Sequence, residues 1–400
     1  MRHLLRVFGC AICAISLFAC AKETETPVDP TNSESVKITL TALSEQTKTT
    51  IDAGVTKWAD GDKIKVICED GSVSAPFEIV DGVGGTSASF AGYIPAGKTA
   101  LHAVYPAASF SAVSGTTVKV VIPASQDGVF GAGNIAVANV AADHSMAFKN
   151  VNAFISFTVP ADVTKVVISS VDGSPLAGTL SVDCSGSAPA ATTSYESTAP
   201  AISAEIDGAG GTYYVSALPG QAHAKGLLFD YYKGDDKTGS YYLNKNISTV
   251  ANSNIQMGDV ETNGNYYVTV SGAGNGNGMS WANAMSGATM WKKLTLTSTQ
   301  AADAATKAAK IAAIDGATFH LGAGSYNFGA DPTISFSESS PVTLTFIGGY
   351  PAAGGTRDIA SYRADITGND EHACLNLRGK LDVTFDGIGF VHGSVTGDNV

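Results

Sequence analysis

Val36-Lys37-Ile38-Thr39-Leu40-Thr41 is the stretch that decides the class of fold. Apolar Val36, Ile38 and Leu40 alternate with polar Lys37, Thr39 and Thr41, and a side-chain period of two is that of a strand with one buried face. The same period recurs in Val118, Val120 and Ile122, and in Ala153, Ile155, Phe157 and Val159. Between such runs stand turn clusters: Asp60-Gly61-Asp62, Asp70-Gly71-Ser72, Asp81-Gly82 and Asp172-Gly173-Ser174. Short strands, frequent turns and almost no helical periodicity predict an all-β chain whose antiparallel sheets pack as sandwiches.

Composition agrees with this. Of 400 residues only 15% are charged, against a usual value of about 25%, and 44 are glycine. The net charge of -12 argues against nucleic acid as a partner, because phosphate binding needs clustered Lys and Arg.

The first nineteen residues read as a removed secretory leader. Arg2 and Arg6 precede an uncharged run from Val7 to Ala19, which is too short to span a bilayer as a finished helix of roughly 20 apolar residues. Leu17-Phe18-Ala19-Cys20 resembles the lipobox of bacterial lipoproteins, and that resemblance implies acylation of Cys20 after cleavage. Each buried methylene contributes about 0.8 kcal/mol, so several acyl chains on Cys20 would hold the protein on a membrane. Ala21-Lys22-Glu23-Thr24-Glu25 resembles the acidic signal that sends such lipoproteins to the outer face of the outer membrane, and residues 20–34 read as a linker.

Of six cysteines, Cys10 and Cys13 leave with the leader and Cys20 is the lipidation candidate. Cys68, Cys184 and Cys374 remain, an odd number that makes no paired framework. Cys68 ends the alternation Ile64, Val66, Cys68, so it reads as a small buried hydrophobe. No C-x-x-C pair survives to suggest zinc.

Further motifs carry a family resemblance. Lys48-Thr49-Thr50, Lys57-Trp58 and Gly61-Asp62-Lys63-Ile64-Lys65-Val66 look like the opening signature of the fimbrillin (Mfa-like) family of Bacteroidetes surface proteins. Ser89-Phe90-Ala91-Gly92, Ala103-Val104-Tyr105-Pro106, Phe148-Lys149-Asn150-Val151 and Tyr213-Tyr214-Val215-Ser216-Ala217-Leu218-Pro219 follow in that family's order. The resemblance implies two tandem transthyretin-like sandwiches, over 35–142 and 143–262. It also implies a cell-surface lipoprotein that takes part in fimbriae or adhesion. Polymerising members are trimmed after an arginine near the start, whereas no arginine stands here between Arg6 and Arg357. That departure favours an accessory or tip-like protein over a stalk subunit. Read from the residues alone, Trp58 is a core anchor, and Asp60 and Asp62 are turn formers rather than calcium ligands.

Residues 264–400 follow a different pattern. Tyr266-Tyr267-Val268-Thr269-Val270 predicts a strand leading into the glycine-rich Ser271-Gly272-Ala273-Gly274-Asn275-Gly276-Asn277-Gly278. No Lys-Ser/Thr or ribose-binding acid follows in a βαβ context, so the loop does not read as a nucleotide site. With Ser280-Trp281-Ala282-Asn283-Ala284 the stretch is similar to the start of right-handed parallel β-helix domains of the pectate-lyase type. An alanine-rich helix predicted from Thr299 to Ile314 would cover the first rung. Thr318-Phe319-His320-Leu321, Val342 to Ile347, Cys374-Leu375-Asn376-Leu377 and Leu381 to Asp386 read as rungs, with Gly348-Gly349-Tyr350-Pro351, Thr356-Arg357-Asp358 and Ile366-Thr367-Gly368-Asn369-Asp370 between them. A solenoid needs a terminal cap, and none is visible before Val400, which predicts the front part of a longer protein.

Two functional classes emerge. One is a non-enzymatic surface lipoprotein, held by outer-membrane lipid through Cys20 and binding a glycan, a host or bacterial surface, or other fimbrial subunits. The other is a glycan-active enzyme with most of its catalytic rungs beyond residue 400. Asp382, Thr384 and Asp386 share the outward face of one strand while Val383 and Phe385 point inward. As a solvated face ahead of an Asp-Gly turn they assign no catalytic or metal site. His320, His372 and His392 are too scattered to be ligands. The first class is favoured, with no cofactor, because a fold alone does not confer chemistry.

Overall fold

The computed structural model describes residues 34–43, 57–159, 161–259, 264–330, 332–336, 341–368, 370, 372–391 and 393. Cys20, the acidic residues after it, Lys48-Thr49-Thr50 and His392 lie outside them. Strands dominate the described chain.

The N-terminal part is built on an eight-stranded sheet in the order Ser145–Met146, Ser35–Ala42, Ala88–Pro95, Phe77–Asp81, Lys63–Cys68, Ala100–Tyr105, Ala136–Asn139 and Lys149–Asn150. Its two edge strands are near neighbours in sequence. Leu40, Val66, Phe77, Phe90, Ala138 and Phe148, drawn from across its width, form one buried cluster, so the sheet curls around a shared interior. Cys68 lies in that interior, 1% exposed, and burial pushes its thiol pKa up.

The central strands are apolar on both faces. Ile64, Val66 and Cys68 look into the curl, while Ile67, Val104 and Val137 look out and need cover of their own. The cover is a four-stranded sheet of Ala190–Ala199, Ala177–Asp183, Thr117–Ile122 and Phe110–Ser114, which contributes Val118, Val120, Leu180 and Val182 to a second buried cluster. Val120 pairs with Leu180 across this antiparallel ladder. Strands from 35–142 therefore complete a sheet with strands from 143–262, and hydrogen bonds cross the expected division at residue 143.

Beyond that layer, Gly211–Ala217, Ala153–Val159 and Asn254–Asp259 face a five-stranded sheet of Asp236–Leu243, Leu227–Lys233, Lys165–Ser170, Ala201–Glu205 and Ser125–Gln126. Ile155, Phe157, Ile168, Ile202 and Phe229 fill the space between them. The pairings are mostly antiparallel, but Asn254–Asp259 runs parallel to Ala153–Val159.

From Asn265 onward every strand pairing is parallel among the described residues. The first column of strands is Met285–Ser286, Asn265–Thr269, Ala317–Gly322, Val342–Tyr350 and Leu381–Asp386. A second column stacks Gly324–Tyr326, Ala364–Thr367 and Ile388–Val391, and a third stacks Thr333–Phe336 on Asn376–Gly379. The chain visits the columns in turn and then returns to the first, so successive circuits lie on one another. Inside, Tyr266, Phe319, Phe346 and Phe385 stack with centroids 5.1, 5.3 and 5.1 Å apart and planes within 22°. That spacing is close to the roughly 4.8 Å between neighbouring strands, so one ring per circuit continues the pile without strain.

The helical cover differs from the expected Thr299–Ile314. It is broken into Ser298–Ala302 and Ala304–Ala312, and an unforeseen helix, Gly287–Leu294, precedes it. The break is at Asp303, whose backbone is extended and whose carboxylate accepts the Thr306 N–H at 2.9 Å. An aspartate at the N-cap satisfies an orphan N–H group and restarts the helix. Thr297 and Gln300 form a capping box at the start of Ser298–Ala302. No helix among the described residues is long and apolar enough to cross a membrane.

Phe346 is 1% exposed and is covered on both ring faces. Phe346→Ala is expected to cost about 3–5 kcal/mol in chemical denaturation, with hydrogen exchange rising first in the strands Ala317–Gly322 and Leu381–Asp386. Loss spread evenly into the antiparallel sheets would contradict an independent stack.

Candidate functional site

Alternation in the first parallel column puts the aromatic pile inside and sends its sequence neighbours outward. Tyr267 pairs with His320, His320 with Ile347 and Ile347 with Asp386, so these four lie in one row across the outer face. Three strand steps make that row about 14 Å long.

Trp281 and Tyr350 border the row. Trp281 comes from the short turn Trp281–Asn283, placed by the glycine-rich loop. The loop folds back on the chain: Tyr267 N–H donates to Gly278 O at 2.7 Å, and Ala273 N–H to Ala284 O at 2.8 Å. Gly274 has φ +53° and a Cβ there would lie 2.4 Å from Ala282 O, so the glycine is needed for close backbone approach rather than for phosphate. Tyr267 meets Trp281 edge-on with centroids 5.0 Å apart and stacks on His320 at 5.0 Å. Trp281 also lies 5.0 Å from Tyr350.

His320 is fixed at both ring nitrogens, Nδ1 lying 2.9 Å from the Tyr350 hydroxyl and Nε2 3.2 Å from Asn265 Oδ1. With the amide oxygen as acceptor, Nε2 carries the proton and Nδ1 accepts from Tyr350. Burial, with a smaller contribution from the Arg357 charge, holds the imidazole below its ordinary pKa. Tyr350 is shifted upward, chiefly by burial.

Arg357 closes the charged end of the row. Its Nε donates to Gly348 O at 2.9 Å, while Nη2 lies 2.6 Å from Asp386 Oδ1 in an ion pair that lacks hydrogen-bond alignment. Asp358 is held below the usual carboxylate range, first by the Ser361 hydroxyl, and its backbone N–H donates to Gly349 O at 2.6 Å. The sequence motifs Gly348-Gly349-Tyr350 and Thr356-Arg357-Asp358 thus meet in space.

The strand Leu381–Asp386 alternates as expected, with Asp382, Thr384 and Asp386 exposed. Asp382 and Asp386 stand four residues apart on an extended strand, a span of about 13 Å. The two carboxylates of a glycosidase are only about 5–9.5 Å apart, and Asp386 is already engaged by Arg357. No group of three or more His, Cys, Asp or Glu that could hold a metal comes together among the described residues. His372 lies outside the row. Sequence reading treated His320 and Asp386 separately and did not pick out Tyr267, Trp281 or Tyr350 as a platform. The consecutive tyrosines Tyr266-Tyr267 carried the signal, since in a strand one of the two must face out.

No family model matches the chain, and no curated protein matches it. Solved structures similar to parts of it include a candidate cell adhesion protein from Bacteroides ovatus ATCC 8483, at 13% identity over 51% of this chain and 85% of that one, with a TM-score of 0.32. A fimbrial assembly protein from Parabacteroides distasonis ATCC 8503 is similar at 12% identity over 56% and 90%, with a TM-score of 0.29. A fimbrial protein from Bacteroides ovatus ATCC 8483 is similar at 11% identity over 57% and 50%, with a TM-score of 0.22. At such scores the architecture rests on the chain's own strand ladders.

His320 should titrate with a midpoint below the ordinary value of about 6.5. Because its folded pKa is depressed, the unfolded state binds the proton more readily, so the stability it contributes is full above about 6.5 and declines as pH falls from there toward the folded value. Imidazole C–H shifts in NMR give the midpoint; one at or above 6.5 would contradict the buried, doubly bonded ring.

Proposed function

We propose that this chain is a fimbrillin-like surface lipoprotein that serves in adhesion, with the outer row of its parallel stack as the binding face. On this reading Cys20 carries the acyl anchor in the outer membrane, exposed to the exterior. Two transthyretin-like sandwiches that share strands across residue 143 raise the face from the membrane, and the segment from residue 264 onward is a parallel β-helix. The family motifs support the assignment by converging in space. Trp58 packs edge-on against Phe90 at 5.0 Å, Tyr105 at 5.1 Å and Phe148 at 5.8 Å, and Tyr105 donates to Asp62 at 3.0 Å.

The observation that carries the adhesive reading is the row Tyr267, His320 and Asp386 with Trp281, Tyr350 and Arg357 beside it. Trp, Tyr and Arg are the residues that dominate binding energy at interfaces, because they offer large rigid area together with a polar end. A glycan suits the row: the rings offer flat faces to sugar C–H groups, while Arg357 and Asp386 meet hydroxyls. A flat face built on one wall of a stack also fits an extended polymer better than a small molecule. The absence of arginine from 21–356 supports an accessory or tip-like place among fimbrial subunits.

Trp281→Ala and Tyr267→Ala are each expected to weaken binding of the cell-surface protein to a glycan array by about tenfold or more, in the range of interface hot spots. Cys20→Ala is expected to abolish palmitate labelling and release the chain from the membrane fraction without altering glycan binding. Array signals that survive both aromatic substitutions would remove the row from the function.

A further inference from the structure

Two histidines are enclosed in the antiparallel part, His102 and His223. His102, 2% exposed, stands on the strand Ala100–Tyr105 between Ile67 on one neighbour and Asn139 on the other. By alternation it shares a face with Val104, so it looks toward the covering sheet rather than into the curl. It also heads a polar chain that crosses between the two halves of 35–262. His102 Nδ1 lies 2.9 Å from Asn139 Oδ1, and the Asn139 amide nitrogen donates to Gly186 O at 2.9 Å and to Cys184 O at 3.3 Å. Cys184 and Gly186 closely follow Ala177–Asp183, the strand that joins the covering sheet from the far side of residue 143.

The chain fixes where the proton sits. With its amide hydrogens given to carbonyls, Asn139 presents oxygen to the ring, so Nδ1 carries the hydrogen and Nε2 is bare. That Nε2 is buried and has no hydrogen-bond partner among the described residues. Burial, offset in part by Asn139, holds the imidazole below its ordinary pKa. His223 is built differently: its Nδ1 lies 2.8 Å from Ser170 Oγ, which donates to Asp172 at 2.8 Å, so an anion stands one hydroxyl away.

Titratable groups on the elements around His102 supply no such counter-charge. Lys65 shares the face of Ile67 and would only add positive charge. Cys184 is buried, and burial pushes its thiol up to about 11. Lys119 and Asp183 alternate to the outer side of the covering sheet, where Lys119 pairs with Glu196 at 2.5 Å and Asp183 accepts the Ser185 N–H at 2.9 Å. Glu69, Asp70 and Lys98, beyond the strand ends, are exposed, and the last two pair at 3.0 Å.

We infer that His102 is an acid switch at the joint between the two halves: on gaining a proton at Nε2 it parts the strands Thr117–Ile122 and Ala177–Asp183 from the curled sheet. A protonated Nε2 is a donor and a charge on the apolar face of Ile67, Val104 and Val137, and a buried charge without a partner is costly. It meets no acceptor among the described residues, so it must reach water, and the covering sheet closes that path. The opened joint therefore binds the proton more readily than the closed one. Its stability is full above about 6.5 and declines as pH falls from there toward the folded value. The switch lies apart from the aromatic row and stands if the adhesive reading fails.

The test follows amide hydrogen exchange of the full chain, as protection factors, from about pH 7.5 to about pH 5.5, where histidines titrate and ordinary carboxylates do not. The opening equilibrium at Val118, Val120, Leu180 and Val182 is expected to rise by up to about tenfold per pH unit below about 6.5, the slope of one linked proton. His102→Gln keeps a donor for Asn139 but cannot gain a proton, so it should flatten that rise without changing the pH response of Ala317–Gly322. His223→Gln should leave the rise in place. NMR of the wild-type His102 ring keeps the test open should His102→Gln not fold, and its midpoint is expected below 6.5. A midpoint at or above 6.5, protection at the joint that does not change with pH, a rise that survives His102→Gln, or its loss on His223→Gln would each overturn the switch.

Discussion

The pile of Tyr266, Phe319, Phe346 and Phe385 is the constraint on which the outer face of the parallel stack depends. Side chains alternate along a strand, so placing these four rings inside forces Tyr267, His320, Ile347 and Asp386 outside. A slip of one residue in any circuit would turn the pattern over, sending a charged or imidazole group inward and a phenylalanine into water. The cost of that exchange is several kcal/mol, since a buried ring loses its apolar cover and a polar group loses its solvent. The geometry of the exposed row is thus specified by side chains that never reach it.

A comparable economy governs the antiparallel part. The strands Lys63–Cys68, Ala100–Tyr105 and Ala136–Asn139 are buried on both faces, which requires a curled sheet on one side and a covering sheet on the other. Residues 110–122 cannot supply the cover alone, because two strands leave too much of the apolar face open. The strands Ala177–Asp183 and Ala190–Ala199 extend it, and this makes the two halves of 35–262 structurally interdependent. A core shared in this way transmits destabilisation across residue 143.

Much of the local structure was legible in the sequence. The alternations at 36–41, 118–122 and 153–159 are strands, as are the runs at 318–321, 342–347 and 381–386, and Phe385 does turn inward. These succeeded as strands because a period of two is a local signal, although Val36 is exposed and Ala153–Val159 is buried on both faces. The helix expected from 299 to 314 failed at Asp303, where an alanine-rich run hid the competition between helix propensity and an aspartate able to cap its own successor. The pairing of 117–122 with 177–183 was not legible, because nothing local encodes a partner some sixty residues away. The site shows the same divide: His320 and Asp386 could be placed outward by periodicity, but their meeting with Trp281, Tyr350 and Arg357 depends on loops whose path only the fold reveals.

The strand Asn265–Thr269 joins the interior of the stack to its outer row. Tyr266 is 2% exposed, heads the internal pile and carries Lys293 over its ring, while Tyr267 begins the outer row. Adjacent residues on one strand therefore serve opposite sides, and the strand is their common wall. The two sides also differ in polarity. The outer side pairs Arg357 with Asp386, whereas the inner side is apolar, built from Tyr266, Phe319 and Phe346. Because the wall between them is a hydrogen-bonded strand in the middle of a sheet, its position is fixed by neighbours on both sides.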